Sequence, residues 1–352
     1  MKIDHRIFVG KTVFAGIDVH KDSYTLAVVA DGVAVLKVGS MPALPHKLVE
    51  FLSARFPQSK IKTAYEAGFC GFALHRALDA AGFDSIVVNA SSIEVAANDR
   101  VKTDKRDAQK IALQLSRGTL RGNHIPSVEE EAERELTRTR AQLVRHRAEL
   151  ANQIKSKLQL FGLTAPGDKR MVTLRLLAEI RQMKLAKPLA AAFAALAAAW
   201  SALGDEIDNL ETCLREQAAR DAKREAIFQS VPGVGLITAR TLANELGDLS
   251  RFPSVKDLYS FTGLTPSEHS SGPKERKGSI TRQGSSTLRS ILVEAAWRAK
   301  RQDPQLAALY ERIAARRGGK RAIVAVARNM IGRIRACLRD DKTYAKEYGS
   351  VA

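Results

Sequence analysis

Four carboxylates in the first third of the chain have a spacing that suits metal-dependent phosphodiester chemistry. Asp18 ends a predicted strand, Glu66 ends a later one, and Asp104 and Asp107 open a predicted helix three residues apart, so they share one face. Oxygen ligands of this kind can converge on two divalent cations, which activate a nucleophile and stabilise a leaving oxygen. Taken singly, each acid could simply cap a turn or the helix N-terminus. The four together, in this order, favour the metal site.

The segments that must position these acids begin with strands and then alternate in type. Short apolar runs joined by tight turns predict strands at 12–18, 24–30 and 33–38. The patterns that follow predict a helix over 44–55, a strand at 61–66, a helix at 73–81, a strand at 85–89 and a helix over 103–116. Three meandering strands followed by alternating strands and helices is the order of the ribonuclease H-like fold.

A second candidate site lies in the segment 263–284, which is rich in Gly, Ser and Lys. Ser270 and Ser271 precede Gly272, and His269 stands beside them. A nucleophilic serine needs an activating base and charge stabilisers, and spacing alone does not separate that role from a flexible loop that touches phosphate. The basic side chains that could contact nucleic acid in this segment or just after it are Lys274, Arg276, Lys277, Arg282 and Arg289.

A Pro-Gly-x-Gly turn opens the helix predicted over 236–246. Gly233 and Gly235 belong to the sequence Val-Pro-Gly-Val-Gly, which is typical of a helix–hairpin–helix element. Exposed backbone N–H groups at such a helix start can hold a phosphate. An ordinary loop and cap is the alternative.

The net charge of the chain predicts a polyanionic partner, most economically nucleic acid. Lys and Arg number 56 against 38 Asp and Glu, a formal net charge of +18 in 352 residues, and +12 of it falls in residues 269–352. The three cysteines are far apart, which favours neither a zinc site nor a disulfide framework and fits a cytoplasmic setting. The uncharged tract 188–204 is alanine-rich and shorter than the roughly 20 apolar residues of a membrane helix, so no membrane partner is expected.

Between the two candidate sites lies a helical segment with a 3.5-residue apolar repeat. Steps of four and three residues alternate along Leu189, Phe193, Leu196, Trp200, Leu203, Ile207, Leu210 and Leu214. That period predicts a coiled coil, whose partner lies in the same chain or in another copy. A simple helical linker is the alternative.

In order along the chain, the motifs GIDVHK, YEAG, KTDKRDA, VPGVG, GLTPSEHSSG and GSITRQG resemble those of the DEDD transposases of bacterial insertion-sequence family one-ten and of the related site-specific DNA invertases. The resemblance covers essentially the whole chain. It implies an α/β ribonuclease H-like (RuvC-like) domain over 1–122, an α-helical coiled-coil linker over 127–225 and a mainly α transposase domain with a helix–hairpin–helix-like element over 226–345.

The resemblance also implies a mechanism and partners. It identifies the four Mg²⁺-binding acids of the family, which hold one or two ions, as Asp18, Glu66, Asp104 and Asp107. Ser271 falls on the catalytic serine, which attacks a DNA phosphodiester and becomes linked to the 5′ phosphate; Ser270 is one position away. A coiled-coil homotetramer acting on donor and target DNA, guided by a structured bridge RNA, is implied as well.

Two other functions stay open on the sequence alone. One is a Holliday-junction-type nuclease or DNA invertase that uses water at the four acids, with Ser271 merely structural. The other, from a different class, is a non-catalytic nucleic-acid scaffold that uses the Pro-Gly-x-Gly turn, the helical stalk and the basic C-terminal end.

Overall fold

The structure is a computed structural model that describes residues 5–94, 103–164, 170–268, 277–281 and 283–344. The chain divides into two units, Met1–Ile125 and Pro126–Ala352. The first unit contains a mixed sheet with helices, and the second is mainly helical, as the sequence predicts. The predicted stalk and the predicted transposase domain both fall in the second unit.

The first unit is built on five strands. They are β1 (Thr12–Val19), β2 (Ser23–Ala30), β3 (Val33–Pro42), β4 (Lys60–Glu66) and β5 (Asp84–Val88). Their order in the sheet is β3-β2-β1-β4-β5, with β1, β2 and β3 antiparallel and with β4 and β5 parallel to β1. This topology is consistent with a ribonuclease H-like domain. The strand predicted to end at Val38 continues to Pro42.

Helices cover both faces of this sheet. They are α1 (Pro45–Arg55), α2 (Ala73–Ala80) and α3 (Asp104–Ser116). Side chains alternate between the faces of a strand, so Val13, Ala15 and Ile17 of β1 enter the core that α1 and α2 complete. Phe14 of the same strand packs on the opposite side with Ala108 of α3.

The second unit contains the remaining helices and a short hairpin. The helices are α4 (Val128–Leu160), α5 (Leu174–Gln182), α6 (Lys187–Arg220), α7 (Ala222–Ser230), α8 (Leu236–Leu246), α9 (Val255–Thr262), α10 (Ser286–Gln302), α11 (Pro304–Arg317) and α12 (Gly319–Arg339). The hairpin pairs β6 (Pro266–Glu268) with β7 (Lys277–Ile280) in antiparallel fashion. Short 3₁₀ turns occur at His5–Phe8, Ala90–Ser92 and Leu249–Arg251.

Helices α4 and α6 form an antiparallel pair. Arg140 of α4 binds Glu211 of α6 at 2.7 Å, and further along α4 the Arg147 guanidinium lies 3.9 Å from the centroid of the Trp200 ring. Gly204 makes room for that guanidinium, because a Cβ there would lie 3.1 Å from Arg147 Nη2. The predicted stalk therefore has an intramolecular partner.

The apolar repeat of α6 is divided between two environments. One row, seven residues apart, is buried within the unit and consists of Phe193, Trp200, Ile207 and Leu214. The other row is only partly buried and consists of Leu189, Leu196, Leu203 and Leu210. Besides α4, helix α6 contacts α5, α7 and α8, and Leu189 and Leu196 of the second row pack against the cluster that contains Phe193. The partial exposure of the second row leaves some apolar surface for another contact.

Among the described residues, α6 is also the one helix long and apolar enough to pass as a membrane span by length and composition. That criterion is weak evidence, because core helices of soluble proteins meet it too. Here the buried row packs against protein, since Phe193 and Trp200 share a cluster with Ile154 and Leu158 of α4.

Candidate active site

The carboxyl ends of β1 and β4 bring two of the predicted acids to one edge of the sheet. Ile17 pairs with Tyr65, so Asp18 and Glu66 follow at the same level of two parallel neighbours. Both belong to the face that α3 covers, because Gly16 and Ala64, two residues earlier, are themselves a register pair beneath that helix. Asp18 is partly buried and Glu66 is exposed.

The position of α3 depends on Gly16. A Cβ at that residue would lie 2.1 Å from the Ala108 carbonyl oxygen and 2.4 Å from the Ala112 amide nitrogen. Both are backbone atoms of α3, so no side-chain rotation could relieve the contact. The helix can rest on β1 only because this residue has no side chain, and its first turn then lies beside the end of the strand.

Asp104 and Asp107 occupy that first turn, and neither of them is the cap of the helix. Thr103 holds the N-cap position and accepts a hydrogen bond from the Arg106 amide at 3.4 Å. Because Thr103 is the N-cap residue, N-capping does not explain the spacing of the two aspartates, and their carboxylates can make other contacts. Asp107 lies 3.5 Å from Lys110 one turn later.

Asp18 and Asp104 meet through a histidine. His20 Nε2 lies 3.3 Å from Asp18 Oδ2 and 3.3 Å from Asp104 Oδ2. One ligand atom from each of the three residues falls within 4.8 Å of the others. The sequence prediction did not give His20 a role. The sequence feature that could have indicated a role for His20 is the two-residue alternation of side chains along a strand. This alternation puts residues 16, 18 and 20 on the same side of β1 and its extension.

The electrostatics of this cluster centre on Asp18. The pKa of its carboxyl is raised, chiefly because burial disfavours the charged form, while the negative charges of Asp104 and Asp107 act in the same direction. His20 opposes both effects by its charge and its hydrogen bond. Crowded carboxylates of this kind gain from a bound cation, whose charge reverses the repulsion.

The four predicted acids are therefore brought together in part. Asp18 and Asp104 share the cluster with His20, and Asp107 is close enough to affect the Asp18 carboxyl. Glu66 stands on the adjacent strand end, outside the 4.8 Å group of ligand atoms found in the described residues. The donor set is one that a divalent cation accepts, because it consists of carboxylate oxygens and an imidazole nitrogen at a solvent-accessible edge.

The predicted nucleophile, Ser271, lies outside the described residues, as do Ser270, Lys274, Arg276 and Arg282. In sequence, the serines fall between β6 and β7, whose antiparallel pairing includes Glu268 with Lys277. The structure thus shows the strands that flank the serine segment.

The base of this hairpin is held by two glycines and an arginine. A Cβ on Gly263 would lie 2.1 Å from the Gln283 carbonyl oxygen, and one on Gly284 would lie 2.2 Å from the Phe261 carbonyl oxygen. Arg289 donates to the carbonyls of Thr262 at 3.3 Å and Gly284 at 3.1 Å. Arg289, which was predicted to contact nucleic acid, joins the two segments at the base of the hairpin through these hydrogen bonds. Its contact with nucleic acid stays a prediction.

The Pro-Gly-x-Gly turn joins α7 to α8. Gly233 has a φ of +80° and sits against α10, where a Cβ would lie 2.5 Å from the Ala295 carbonyl oxygen. Gly235 is exposed at the N-cap of α8, which has no side-chain cap. The first glycine therefore serves packing, while the second leaves backbone N–H groups open.

The order of the sheet and the acids at its edge point to the class of metal-dependent enzymes that act on phosphodiesters. Comparison with known families agrees. A family model of the DEDD transposases of IS110, described as a transposase, matches residues 15–162, and a model described as the IS116/IS110/IS902 transposase family matches residues 225–311. The first segment contains the four acids and the second contains Ser271.

Named relatives support the same assignment. The chain is 32% identical over 294 residues to the y4qE protein of Sinorhizobium fredii, which bears a transposase name; the match covers 82% of this chain and 72% of that protein. It is 33% identical over 253 residues to the transposase for insertion sequence element IS1111A of Coxiella burnetii, covering 69% and 68%. The transposase for IS1328 of Yersinia enterocolitica is 30% identical over 195 residues, covering 55% and 58%. The chain belongs to the IS110 family of transposases.

Gly16→Ala tests the geometry that brings the acids together. Because the new methyl group meets the backbone of α3, we expect the free energy of unfolding of the first unit to fall by about 2 kcal/mol and transposition to be lost. Gly68→Ala is the control, since nothing lies within 4 Å of a Cβ there. Chemical denaturation followed by circular dichroism measures both variants, and equal stability of the two would contradict the close-approach argument.

Proposed function

We propose that this transposase cuts and rejoins DNA with Ser271 as the nucleophile and with a divalent-cation site formed by Asp18, Glu66, Asp104 and Asp107. The observation that carries the proposal is the convergence of Asp18 and Asp104, each 3.3 Å from His20, on the edge of a ribonuclease H-like sheet. Membership of the IS110 family supports the catalytic role of Ser271, because position 271 lies within the segment 225–311 that matches the family.

The chemistry of the proposed step is a transfer of a phosphodiester. Oγ of Ser271 attacks phosphorus and gives up its proton, while the bond from phosphorus to the 3′ oxygen breaks and that oxygen takes up a proton. A 5′-phosphoserine and a free 3′ hydroxyl result. Attack by the 3′ hydroxyl of another strand on the phosphoserine reverses these bond changes and rejoins DNA. A bound Mg²⁺, one ion or two, would supply charge stabilisation to the reacting phosphate.

The proposed partners follow from the charge. Residues 269–352 carry +12 of the +18 net charge, and the phosphate contacts assigned to this region are Lys274, Arg276, Lys277, Arg282 and Arg289. Earlier in the chain, the turn glycines Gly233 and Gly235 are assigned a phosphate contact through their backbone. Basic groups of this number neutralise phosphates of donor and target DNA. A bridge RNA as guide, a tetramer and action in the cytoplasm at the nucleoid complete the proposal, and they rest on the family resemblance.

A covalent-adduct assay separates the serine mechanism from hydrolysis by water. The transposase is expressed in bacterial cells with its coding region and flanking DNA, and lysis under denaturing conditions recovers any protein attached to DNA. We expect an adduct from the unmodified chain and from Ser270→Ala, and no adduct and no cutting from Ser271→Ala or Asp18→Asn. If Ser271→Ala still cuts while Asp18→Asn does not, the enzyme is a water-using nuclease. If the unmodified chain forms no adduct and cuts no DNA, and changing the four acids alters no other activity, it is a scaffold.

The partly buried row of α6 gives a test of assembly. Leu203→Asp together with Leu210→Asp places two charges on apolar surface that a second copy would cover, so we expect smaller species in light scattering. Ala202→Asp with Asn209→Asp adds charge to exposed positions of the same helix and should leave the mass unchanged. An unchanged mass for the leucine pair would rule out this surface as the oligomer contact.

RNA guidance predicts an RNA in the purified protein. Sequencing should enrich one structured RNA from the non-coding DNA beside the coding region, and ribonuclease treatment should stop recombination. Recombination that continues at full rate after the RNA has been digested would contradict the guide.

A further inference from the structure

His20 occupies a position from which its ring can reach the acids without distorting the strand. It follows β1 directly, and its amide donates to the Ser23 carbonyl at 2.9 Å, closing the turn into β2. This hydrogen bond fixes the backbone at residue 20. The side chain lies on the same side as Asp18, with Nε2 at 3.3 Å from the Asp18 carboxylate. The side chain is 48% exposed, which leaves the cluster of Asp18, His20 and Asp104 accessible to an ion and its water.

The distances around His20 Nε2 resemble those between adjacent ligands of one ion. In an octahedral shell with ligands at about 2.1 Å, neighbouring donor atoms are about 3 Å apart. Nε2 lies 3.3 Å from an oxygen of Asp18 and 3.3 Å from an oxygen of Asp104. An ion placed between these three atoms could contact all of them after small side-chain rotations.

We propose that His20 is a nitrogen ligand of the divalent cation at the acid site, so that the ion is held by Asp18, His20 and Asp104 together. The inference rests on the proposed function, since it requires that the acids hold a cation at all. It goes beyond that function because it changes the chemical nature of the site from all-oxygen to mixed nitrogen and oxygen.

A mixed donor set has a consequence for metal selectivity. Mg²⁺ prefers oxygen ligands and gives up its water reluctantly, whereas imidazole favours transition metals. Mn²⁺ accepts both donors and lies at the low end of the transition-metal affinity series, so it is a suitable probe. The ring should therefore raise the affinity for Mn²⁺ more than the affinity for Mg²⁺.

The test is Mn²⁺ binding to the purified, metal-free full chain, with pulsed electron paramagnetic resonance to detect ¹⁴N coupled to the bound ion. We expect ¹⁴N coupling in the unmodified chain and its loss in His20→Gln. The Mn²⁺ affinity of that variant should fall about tenfold or more, while the Mg²⁺ affinity, measured by competition, changes much less. His46→Gln, on the exposed side of α1, is the matched control and should keep both the coupling and the affinity.

The outcomes distinguish the two proposals. Mn²⁺ binding without ¹⁴N coupling, and with equal affinity in His20→Gln, would overturn the ligand role of His20 and leave the acid site standing; His20 would then be only an ion-pair partner. Failure of the unmodified chain to bind Mn²⁺ would overturn the acid site and His20 with it. Equal thermal melts of His20→Gln and His46→Gln without metal show that a change in binding is not a change in folding.

Discussion

The close approach of α3 to β1 is the constraint on which the acid site depends. The Ala108 carbonyl occupies the space that a side chain at Gly16 would fill. This contact determines where the first turn of α3 lies relative to the end of β1. Because Asp104 is the first residue of the helix and Asp18 lies two residues beyond Gly16, the same contact brings an oxygen of each carboxylate to 3.3 Å from His20 Nε2. A Cβ at position 16 would meet backbone atoms of α3 and oppose this approach.

The close approach of Asp18, Asp104 and Asp107 has an electrostatic cost, which basic side chains beside them reduce. Burial and the charges of Asp104 and Asp107 raise the pKa of the Asp18 carboxyl, so its ionised form is disfavoured in the folded chain. A carboxylate whose pKa is raised on folding destabilises the fold at pH values above its unfolded pKa, and this penalty disappears as falling pH protonates it. His20 and Lys110 reduce the repulsion, and a divalent cation would reduce it further.

Much of this arrangement could be predicted from the sequence, because strand alternation and helix periodicity are local. Local patterns alone were enough to predict that Asp18 and Glu66 lie near the ends of strands. They were also enough to predict that Asp104 and Asp107 share one face of a helix. His20 was missed because a histidine in a turn looks like a surface residue until α3 is placed above it. The division of the α6 repeat could not be predicted either, since the row of Phe193 and the row of Leu189 have the same spacing. The neighbouring helices of the second unit decide which row is buried.

Electrostatics acts at two ranges in this chain, and each solves a different part of binding a polyanion. The positive charge of residues 269–352 attracts polyanions such as DNA, but screening limits the reach of any one group to about 8 Å at physiological salt. Such a field can raise the local concentration of phosphates, whereas a carboxylate cluster repels a phosphate at contact distance. Positive charge supplied at the cluster itself therefore favours the approach of a phosphate to Asp18 and Asp104. The imidazole of His20 and the ammonium group of Lys110 lie beside the carboxylates, and a divalent ion would add the positive charge that a phosphate needs there.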